Sequence, residues 1–158
     1  MTERSLRTYS IQQWLPLTTE AAFAYFADET KLDGLTPPWF RIKVLGKSTD
    51  RLGPGTLLDY RMTLRGLPLR WRSRIEDWDP PHGFAYTQVK GPYLYWKHAH
   101  FFEPQKAGTL MTDTTFYRLR GGPLGRSLFQ AWAGMEIRRI FEFRKNRIER
   151  LLGASPLL

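Results

Sequence analysis

Two histidines and one aspartate occupy positions where a pair of strands could bring their side chains together. His98 and His100 are two positions apart, so on a strand they share one face with Trp96, whereas Lys97 lies on the opposite face. A basic residue on the alternate face indicates that the histidine face is the inner one. On the next predicted strand Asp113 has inward parity, and a hairpin of the two strands would place it beside either histidine.

A buried histidine next to a carboxylate can transfer protons, because the carboxylate holds the imidazole in one tautomer and stabilises its protonated form. We therefore name His98, His100 and Asp113 as candidate catalytic residues for an aldol-type cyclisation, a dehydration or an isomerisation of a carbonyl compound. The alternative is a structural role, in which Asp113 satisfies the hydrogen bonds of a histidine that the sheet encloses. The residues alone leave both interpretations open.

The same three side chains also match the two-histidine, one-carboxylate pattern of some metal sites. We nevertheless predict no metal site, because the ligand set would depend on three residues whose proximity is only inferred. The chain has no cysteine, which excludes thiolate nucleophiles, disulfides and cysteine-ligated metals. It also lacks a P-loop, a dinucleotide-binding fingerprint, a nucleophile elbow and a zincin helix, so we expect no cofactor.

Large aromatic side chains recur at positions that would face a groove between a sheet and a helix. Each is consistent with an ordinary core position, but together they favour an apolar, planar or lipid-like ligand. Trp39 follows a Pro-Pro step, and it either closes the mouth of the cavity or anchors its loop to the body. The predicted ligand-binding residues are Tyr60, Trp71, Ser73, Trp96, Met111, Tyr117, Phe129, Trp132 and Trp39.

The clearest secondary-structure signal lies in the middle of the chain, where apolar and polar residues alternate over 58–64 and again over 69–76. A period of two predicts strands with one buried face, joined as a hairpin through Gly66-Leu67-Pro68. Thr18 is a suitable N-cap for a helix that ends near Asp28. Further strands are predicted at 7–15, 40–45, 84–89, 93–102 and 109–118, a short helical piece at 29–35, a turn at 103–108 and a long helix from Pro123 to Gly153.

This order of elements predicts one α+β domain, 1–158, in which a curved antiparallel sheet wraps around the long C-terminal helix, with two short helices after the first strand. One helix does not fill such a groove, so we expect a cavity between the sheet and the helix. The predicted apolar face of the helix consists of Leu124, Leu128, Trp132, Met135, Ile137, Ile140, Phe141, Ile148 and Leu151.

Several short segments, in this order and number, resemble the START/polyketide cyclase-like (SRPBCC) superfamily and, within it, a bacterial subgroup. The resemblance spans about 7–152, and it implies a helix-grip fold with a cavity for lipids, aromatic polyketides, steroids or other apolar molecules. It does not imply a reaction, because the superfamily includes carriers, cyclases and regulatory modules. Tyr86 departs from the pattern, which has an acidic residue there. The matching segments are Leu35-Thr36-Pro37-Pro38-Trp39, Trp71 with Ile75 and Trp78-Asp79-Pro80-Pro81, Gly91-Pro92-Tyr93 with Trp96, His98 and His100, and Gly108-Thr109 with Met111, Asp113 and Tyr117.

Basic residues are concentrated on two predicted surfaces of a chain with a net charge of +9. Such residues usually form a solvated face. An anionic membrane surface is the second alternative, and nucleic acid is the least favoured partner. We find no recognition helix or RNP-type strand that would support nucleic-acid binding. The two sets are Arg61, Arg65, Arg70, Arg72 and Arg74 on the outer face of the central hairpin, and Arg138, Arg139, Arg144, Lys145, Arg147 and Arg150 on the last helix.

Three functions follow from these patterns. The leading hypothesis is a protein that carries or senses an apolar small molecule in the predicted cavity. The second is a cyclase- or dehydratase-type enzyme that uses His98 or His100 as its base with Asp113 behind it, and the third is a basic membrane- or nucleic-acid-binding module. The polar N-terminus has no apolar core of a signal peptide, and no stretch is long and apolar enough to span a bilayer, so we expect a cytoplasmic protein.

Overall fold

The computed structural model describes residues 6–120 and 123–153, with the backbone alone described for 123–127. Seven strands and two helices follow the predicted order, and two single 3₁₀ turns replace the predicted helical piece at 29–35. The elements are β1 (Arg7–Leu15), α1 (Thr19–Ala27), the 3₁₀ turns Glu29–Lys31 and Asp33–Leu35, β2 (Phe40–Lys47), β3 (Leu57–Leu64), β4 (Leu67–Asp79), β5 (Gly83–Lys90), β6 (Tyr93–Gln105), β7 (Gly108–Leu119) and α2 (Pro123–Leu152).

The strands form one antiparallel sheet in the order β1-β7-β6-β5-β4-β3-β2. The register shifts between Val44 and Gly46 on β2, at two places along β4, and between Tyr93 and Tyr95 on β6. Such irregularities bend the strands and increase their twist, and the sheet is curved. The predicted α+β class, with a curved sheet, a long C-terminal helix and short helices after the first strand, is confirmed.

Two predicted turns are shorter in the structure than in the sequence-based prediction. The β3–β4 turn consists of Arg65 and Gly66, both with positive φ angles of 48° and 86°, and Leu64 pairs directly with Leu67. Two central residues with positive φ are typical of the tight hairpin turns whose twist matches that of the strands. The β6–β7 turn is confined to Lys106 and Ala107, so most of the predicted turn at 103–108 belongs to the strands.

The α1 helix begins as its sequence predicts. The Thr18 hydroxyl accepts a hydrogen bond from the Ala21 N–H at 3.2 Å, as expected for an N-cap residue. Phe23 and Phe26 of α1 are buried in an apolar cluster with Phe84 and Phe102 of the sheet and Ile148 of α2. This cluster fills the groove between the sheet and the C-terminal part of α2.

The buried face of α2 differs from the predicted one. It follows Ala133, Ile137, Phe141, Arg144 and Ile148, which are spaced three or four residues apart. Leu128 and Met135 of the predicted apolar face point away from this stripe and are exposed. Leu151 and Trp132 are also exposed, at 48% and 37%. Leu124 lies outside the residues whose side chains are described.

The end of α2 matches its prediction. Gly153 follows Leu152 with a φ of 67°, and its N–H donates to the Glu149 carbonyl at 3.0 Å. A glycine in the left-handed region is a common helix terminator, because it has no Cβ to strain there. Across the described residues, we find no helix with the length and apolarity that a bilayer crossing requires.

Candidate functional site

A cavity of about 260 Å³ lies between the inner face of the sheet and α2. It occupies the part of the groove that the α1 cluster leaves open, alongside 129–144 of α2. Its sheet wall is mainly apolar and aromatic, and its helix wall adds Ile137, Ile140 and Phe141. The volume is just below the several hundred Å³ common for small-molecule sites, and the composition of the wall is typical of them.

Most of the predicted ligand-binding residues lie in the cavity wall. Trp71 is held by a hydrogen bond from its indole N–H to the Ser73 hydroxyl at 2.9 Å, and its ring meets Trp96 edge-on with ring centroids 5.4 Å apart. The indole donor is therefore satisfied within the protein, which leaves an apolar surface toward the cavity. The predicted residues found in the wall are Tyr60, Trp71, Ser73, Trp96, Phe129 and Trp132.

Three predicted ligand-binding residues lie elsewhere. Met111 faces inward but belongs to the filled end of the groove, in the α1 cluster. Tyr117 is buried in a separate cluster with Ile137 and Phe141 and is not in the cavity wall. Trp39 packs edge-on against Phe143 of α2, with ring centroids 5.9 Å apart, which fits the predicted alternative of a loop anchor. Met111 and Tyr117 point inward and are buried, as their parity predicts, but neither residue lines this cavity.

The three candidate catalytic residues meet at the boundary between the cavity and the α1 cluster. Asp113 on β7 is directly opposite His100 on β6, and its Oδ1 is hydrogen-bonded to Nε2 of His98. The other nitrogen of His98, Nδ1, is 3.0 Å from the hydroxyl of Tyr86 on β5. His98 and Tyr86 line the cavity, whereas His100 and Asp113 lie behind them.

This hydrogen bonding assigns the protons of the cluster. When Asp113 is ionised and His98 is neutral, Nε2–H donates to Asp113 and Nδ1 accepts the Tyr86 O–H. His100 is held more loosely, with Nε2 3.5 Å from the Tyr86 oxygen and Nδ1 3.8 Å from Asp113 Oδ1. Both nitrogens of His98 are therefore engaged by protein groups, and His98 and Tyr86 are the residues of the cluster that reach the cavity.

Burial and charge set the protonation of these groups. Burial by itself would raise the pKa of Asp113, but the neighbouring His98 and His100, the hydrogen bond from His98 and the charge of Arg144 hold that pKa below its usual range. Burial lowers the pKa of His100 to about 3, so this imidazole is neutral near pH 7. Burial also raises the pKa of Tyr86, which keeps its hydroxyl protonated.

Solved structures with the same architecture are numerous, although no model of a protein family matches the chain and no curated protein resembles it in sequence. A protein from Chromobacterium violaceum aligns with 14% identity over 92% of this chain and 96% of its own, with a TM-score of 0.70. The Zhui aromatase/cyclase from a Streptomyces species aligns with 17% identity, 91% and 92% coverage and a TM-score of 0.68. Major latex-like protein 151 from Panax ginseng aligns with 10% identity over 93% of this chain and 97% of its own, with a TM-score of 0.65.

The chain has the helix-grip fold. These neighbours confirm the fold that the resemblance implied, while membership of the START/polyketide cyclase-like superfamily and of its bacterial subgroup stays a prediction. Identities of 10–17% in these alignments carry the fold and not an activity, since proteins with one fold often differ in function.

Sequence reasoning placed one residue of this helix-grip site on the wrong surface. Arg144 was counted among the basic residues of the last helix, for which a solvated face was expected. Its side chain is instead 9% exposed, lines the cavity and lies 3.6 Å from Asp113 Oδ2 through Nη1. Its spacing could have indicated this, because it is three residues after Phe141 and four before Ile148 on the buried stripe of α2.

Two further polar residues of the cavity wall were not singled out as site residues. Tyr86 had been noted only as a departure from the family pattern, although its parity on β5 matches that of buried Phe84. Glu136 was not singled out, and it lines the cavity with a side chain that is 4% exposed. Buried glutamates are rare unless they are paired. A pattern of apolar residues therefore does not predict that a glutamate on this helix is buried.

The cluster also contains a potential set of metal ligands. His98, His100 and Asp113 place one ligand atom each within 4.8 Å of one another, which is close enough for one ion. However, the Arg144 guanidinium beside Asp113 would repel a cation, and His98 already uses both nitrogens. The prediction of no metal site therefore stays a prediction, with the charge of Arg144 in its favour.

Proposed function

We propose that this protein binds an apolar small molecule, lipid-like or polyketide-like, in the cavity between the sheet and α2, and that it carries or senses this molecule. The observation that supports the proposal is a wall made mainly of aromatic and aliphatic side chains with few polar groups. Apolar walls with a few placed polar groups are typical of small-molecule sites. One structural neighbour is named an aromatase/cyclase, which is consistent with a ligand of this class.

The first test is native mass spectrometry, followed by denaturing extraction, of protein purified from its own host. A co-purifying apolar molecule is the expected result. An uncharged fluorescent probe, Nile red, then provides an affinity for variants. Leu69→Arg places a charge in the cavity wall and should weaken probe binding at least about tenfold, because an unpaired charge is costly in an apolar site.

Arg72→Ala is the matched control for that variant, because Arg72 lies on the same strand but faces outward in an ion pair with Asp59. Its probe affinity should equal that of the wild type. Equal losses in the two variants would mean that the probe does not bind in the cavity, and the proposal would fail.

A second candidate function is an enzyme of the cyclase or dehydratase type, supported by the hydrogen-bonded series Asp113–His98–Tyr86 that ends at the cavity. In this version the Tyr86 hydroxyl contacts the substrate, and neither histidine does. With His98 protonated, Tyr86 gives its proton to a substrate oxygen and receives one from Nδ1 of His98, while Asp113 stabilises the imidazolium. The protonated hydroxyl then leaves as water. The proton of the neighbouring carbon passes to the Tyr86 oxygen while Tyr86 returns its own proton to Nδ1 of His98, so that a C=C bond forms and His98 is protonated again.

Tyr86→Phe separates the two functions. An enzyme should convert the co-purified molecule to a product lighter by one water, and the variant should lose this turnover while keeping its affinity for the molecule. A carrier should return the molecule unchanged from wild type and variant alike. Turnover that survives in Tyr86→Phe would exclude this relay.

A further inference from the structure

Two charged side chains of α2 face the same apolar cavity from positions eight residues apart. Glu136 and Arg144 both line the cavity, with only 4% and 9% of their side chains exposed. Eight residues of α-helix span about 12 Å along the axis. The helix wall between them is apolar and consists of Ile137, Ile140 and Phe141.

Glu136 is only half satisfied by its protein partners. Its Oε1 accepts hydrogen bonds from Arg65 at 2.8 and 3.2 Å and from Arg139 at 3.2 Å. Its other carboxylate oxygen, Oε2, is buried and has no hydrogen-bond partner among the described residues. A buried acceptor without a donor is costly, so this oxygen is suited to receive a hydrogen bond from a ligand.

Arg144 is likewise incompletely paired. Its guanidinium lies 3.6 Å from Asp113 Oδ2, beyond hydrogen-bonding distance for a well-formed pair, and 5.3 Å from the centre of the Phe141 ring. Its Nε is buried with no partner in the described part of the chain. A guanidinium has five N–H donors, and it binds carboxylates and other oxygen acceptors strongly.

We infer that the ligand is bipolar, with an apolar body, a hydroxyl or similar donor that binds Glu136 at one end, and a carboxylate or carbonyl oxygen that binds Arg144, about two helical turns further along α2. This inference rests on the proposed binding function and narrows its ligand class. Each polar end satisfies one unpaired buried atom of α2, while the body lies against the apolar helix wall. The body has to be apolar because no other charged side chain of the described helix wall faces the cavity between these two positions.

The probes for this inference are ω-hydroxydecanoic acid, decanoic acid and decanol, with dissociation constants measured by quenching of tryptophan fluorescence. Wild-type protein should bind ω-hydroxydecanoic acid about tenfold or more tightly than decanoic acid, since a hydrogen bond to a charged group is worth roughly this much. Glu136→Leu should abolish that difference. Arg144→Met should weaken binding of both acids about tenfold or more and leave decanol nearly unchanged.

Arg138→Met is the matched control, because it removes the same charge from an exposed position on the same helix. It should leave all three affinities unchanged. Two results would each exclude the bipolar ligand but not the binding of apolar molecules. In the first, Arg138→Met weakens binding of the two acids as much as Arg144→Met does, and in the second the terminal hydroxyl leaves the affinity of the wild type unchanged. If none of the three probes binds, the proposed function fails together with this inference.

Discussion

Asp113 is the residue on which the polar cluster depends. It is 1% exposed, it accepts the hydrogen bond of His98, and its second oxygen faces the guanidinium of Arg144. Each of these groups loses hydration on burial and is compensated by its neighbours. Removing one member of the cluster therefore leaves the others buried without a partner, which lowers the free energy of unfolding.

Asp113→Ala should destabilise the protein by about 3–5 kcal/mol, because it leaves Arg144 buried without its counter-charge. The free energy of unfolding is measured by urea denaturation near pH 7. Asp77→Ala is the control, since Asp77 forms an ion pair with Lys97 but its side chain is 64% exposed, and it should cost less than about 1 kcal/mol. Similar losses in the two variants would contradict a buried charge pair.

His100 should make the stability depend on pH in mildly acidic solution. Its pKa falls from an ordinary 6.5 to about 3 on folding, so between these values the unfolded chain binds more protons than the folded one. The free energy of unfolding therefore decreases as the pH falls through 6.5, and this single group accounts for about 2–3 kcal/mol by roughly pH 4.5.

His100→Phe should remove that part of the pH dependence, because a phenyl ring fits among Phe26, Phe84 and Phe102 and binds no proton. Urea denaturation of wild type and variant between about pH 4.5 and pH 6.5 gives, for each protein, the slope of the free energy of unfolding against pH. His82→Asn is the control, since His82 is exposed in the β4–β5 turn, and its slope should equal that of the wild type. An unchanged slope in His100→Phe would show that this imidazole is not buried.

At the scale of elements, the sheet and α2 divide the groove between core and cavity. The α1 helix inserts Phe23 and Phe26 at one end, where Ile148 of α2 completes the apolar cluster. Closer to the N-terminus of α2, Ala133 and Ile137 of the helix form part of the cavity wall instead. The C-terminal part of α2 therefore contributes mainly to stability and its middle to the site.

Ile148→Ala should test this division. Ile148 is 1% exposed in the core, so its truncation should cost about 2–5 kcal/mol of unfolding free energy and leave ligand affinity unchanged. Leu151→Ala, on the same helix but 48% exposed, should cost much less. Urea denaturation and probe binding are measured together. A loss of affinity in folded Ile148→Ala would show that the two ends of α2 are not independent.

At the scale of the whole molecule, a net charge of +9 includes a row of like charges across the outer face of the sheet. Lys43, Arg61 and Arg70 are direct neighbours on β2, β3 and β4, and all three are exposed. None of them forms an ion pair within the described residues, whereas Arg72 and Arg74 of β4 are paired with Asp59 and Glu76. Adjacent like charges destabilise a sheet, so an anionic surface would relieve this repulsion.

If this row binds an anionic membrane, the protein should sediment with vesicles containing phosphatidylserine but not with vesicles of phosphatidylcholine alone. Binding should weaken as sodium chloride is raised, because salt screens exposed charges. Arg61→Glu should weaken it strongly, and Arg51→Glu, an exposed change of equal charge away from the row, should weaken it less. Absent or salt-insensitive binding would eliminate the membrane alternative.

The sequence by itself determined the order of the elements and the faces of the strand residues, because both depend on local geometry. Alternation with a period of two placed His98, His100 and Asp113 on the inner face of their strands, and Thr18 and Gly153 marked two helix ends. These features depend on neighbours within a few residues, so periodicity and capping preferences are sufficient to predict them.

Only the tertiary structure decided where along that inner face the cavity lies and which charged groups reach it. Met111 is in the core and Tyr86 meets the cavity because α1 packs over one end of the sheet and leaves the other open. Arg144 and Glu136 are buried because the angular position of α2 turns them inward, where Asp113, Arg65 and Arg139 compensate their charges. Contacts between residues distant in sequence set these placements, and of the local patterns only the helical spacing of Arg144 indicates one of them.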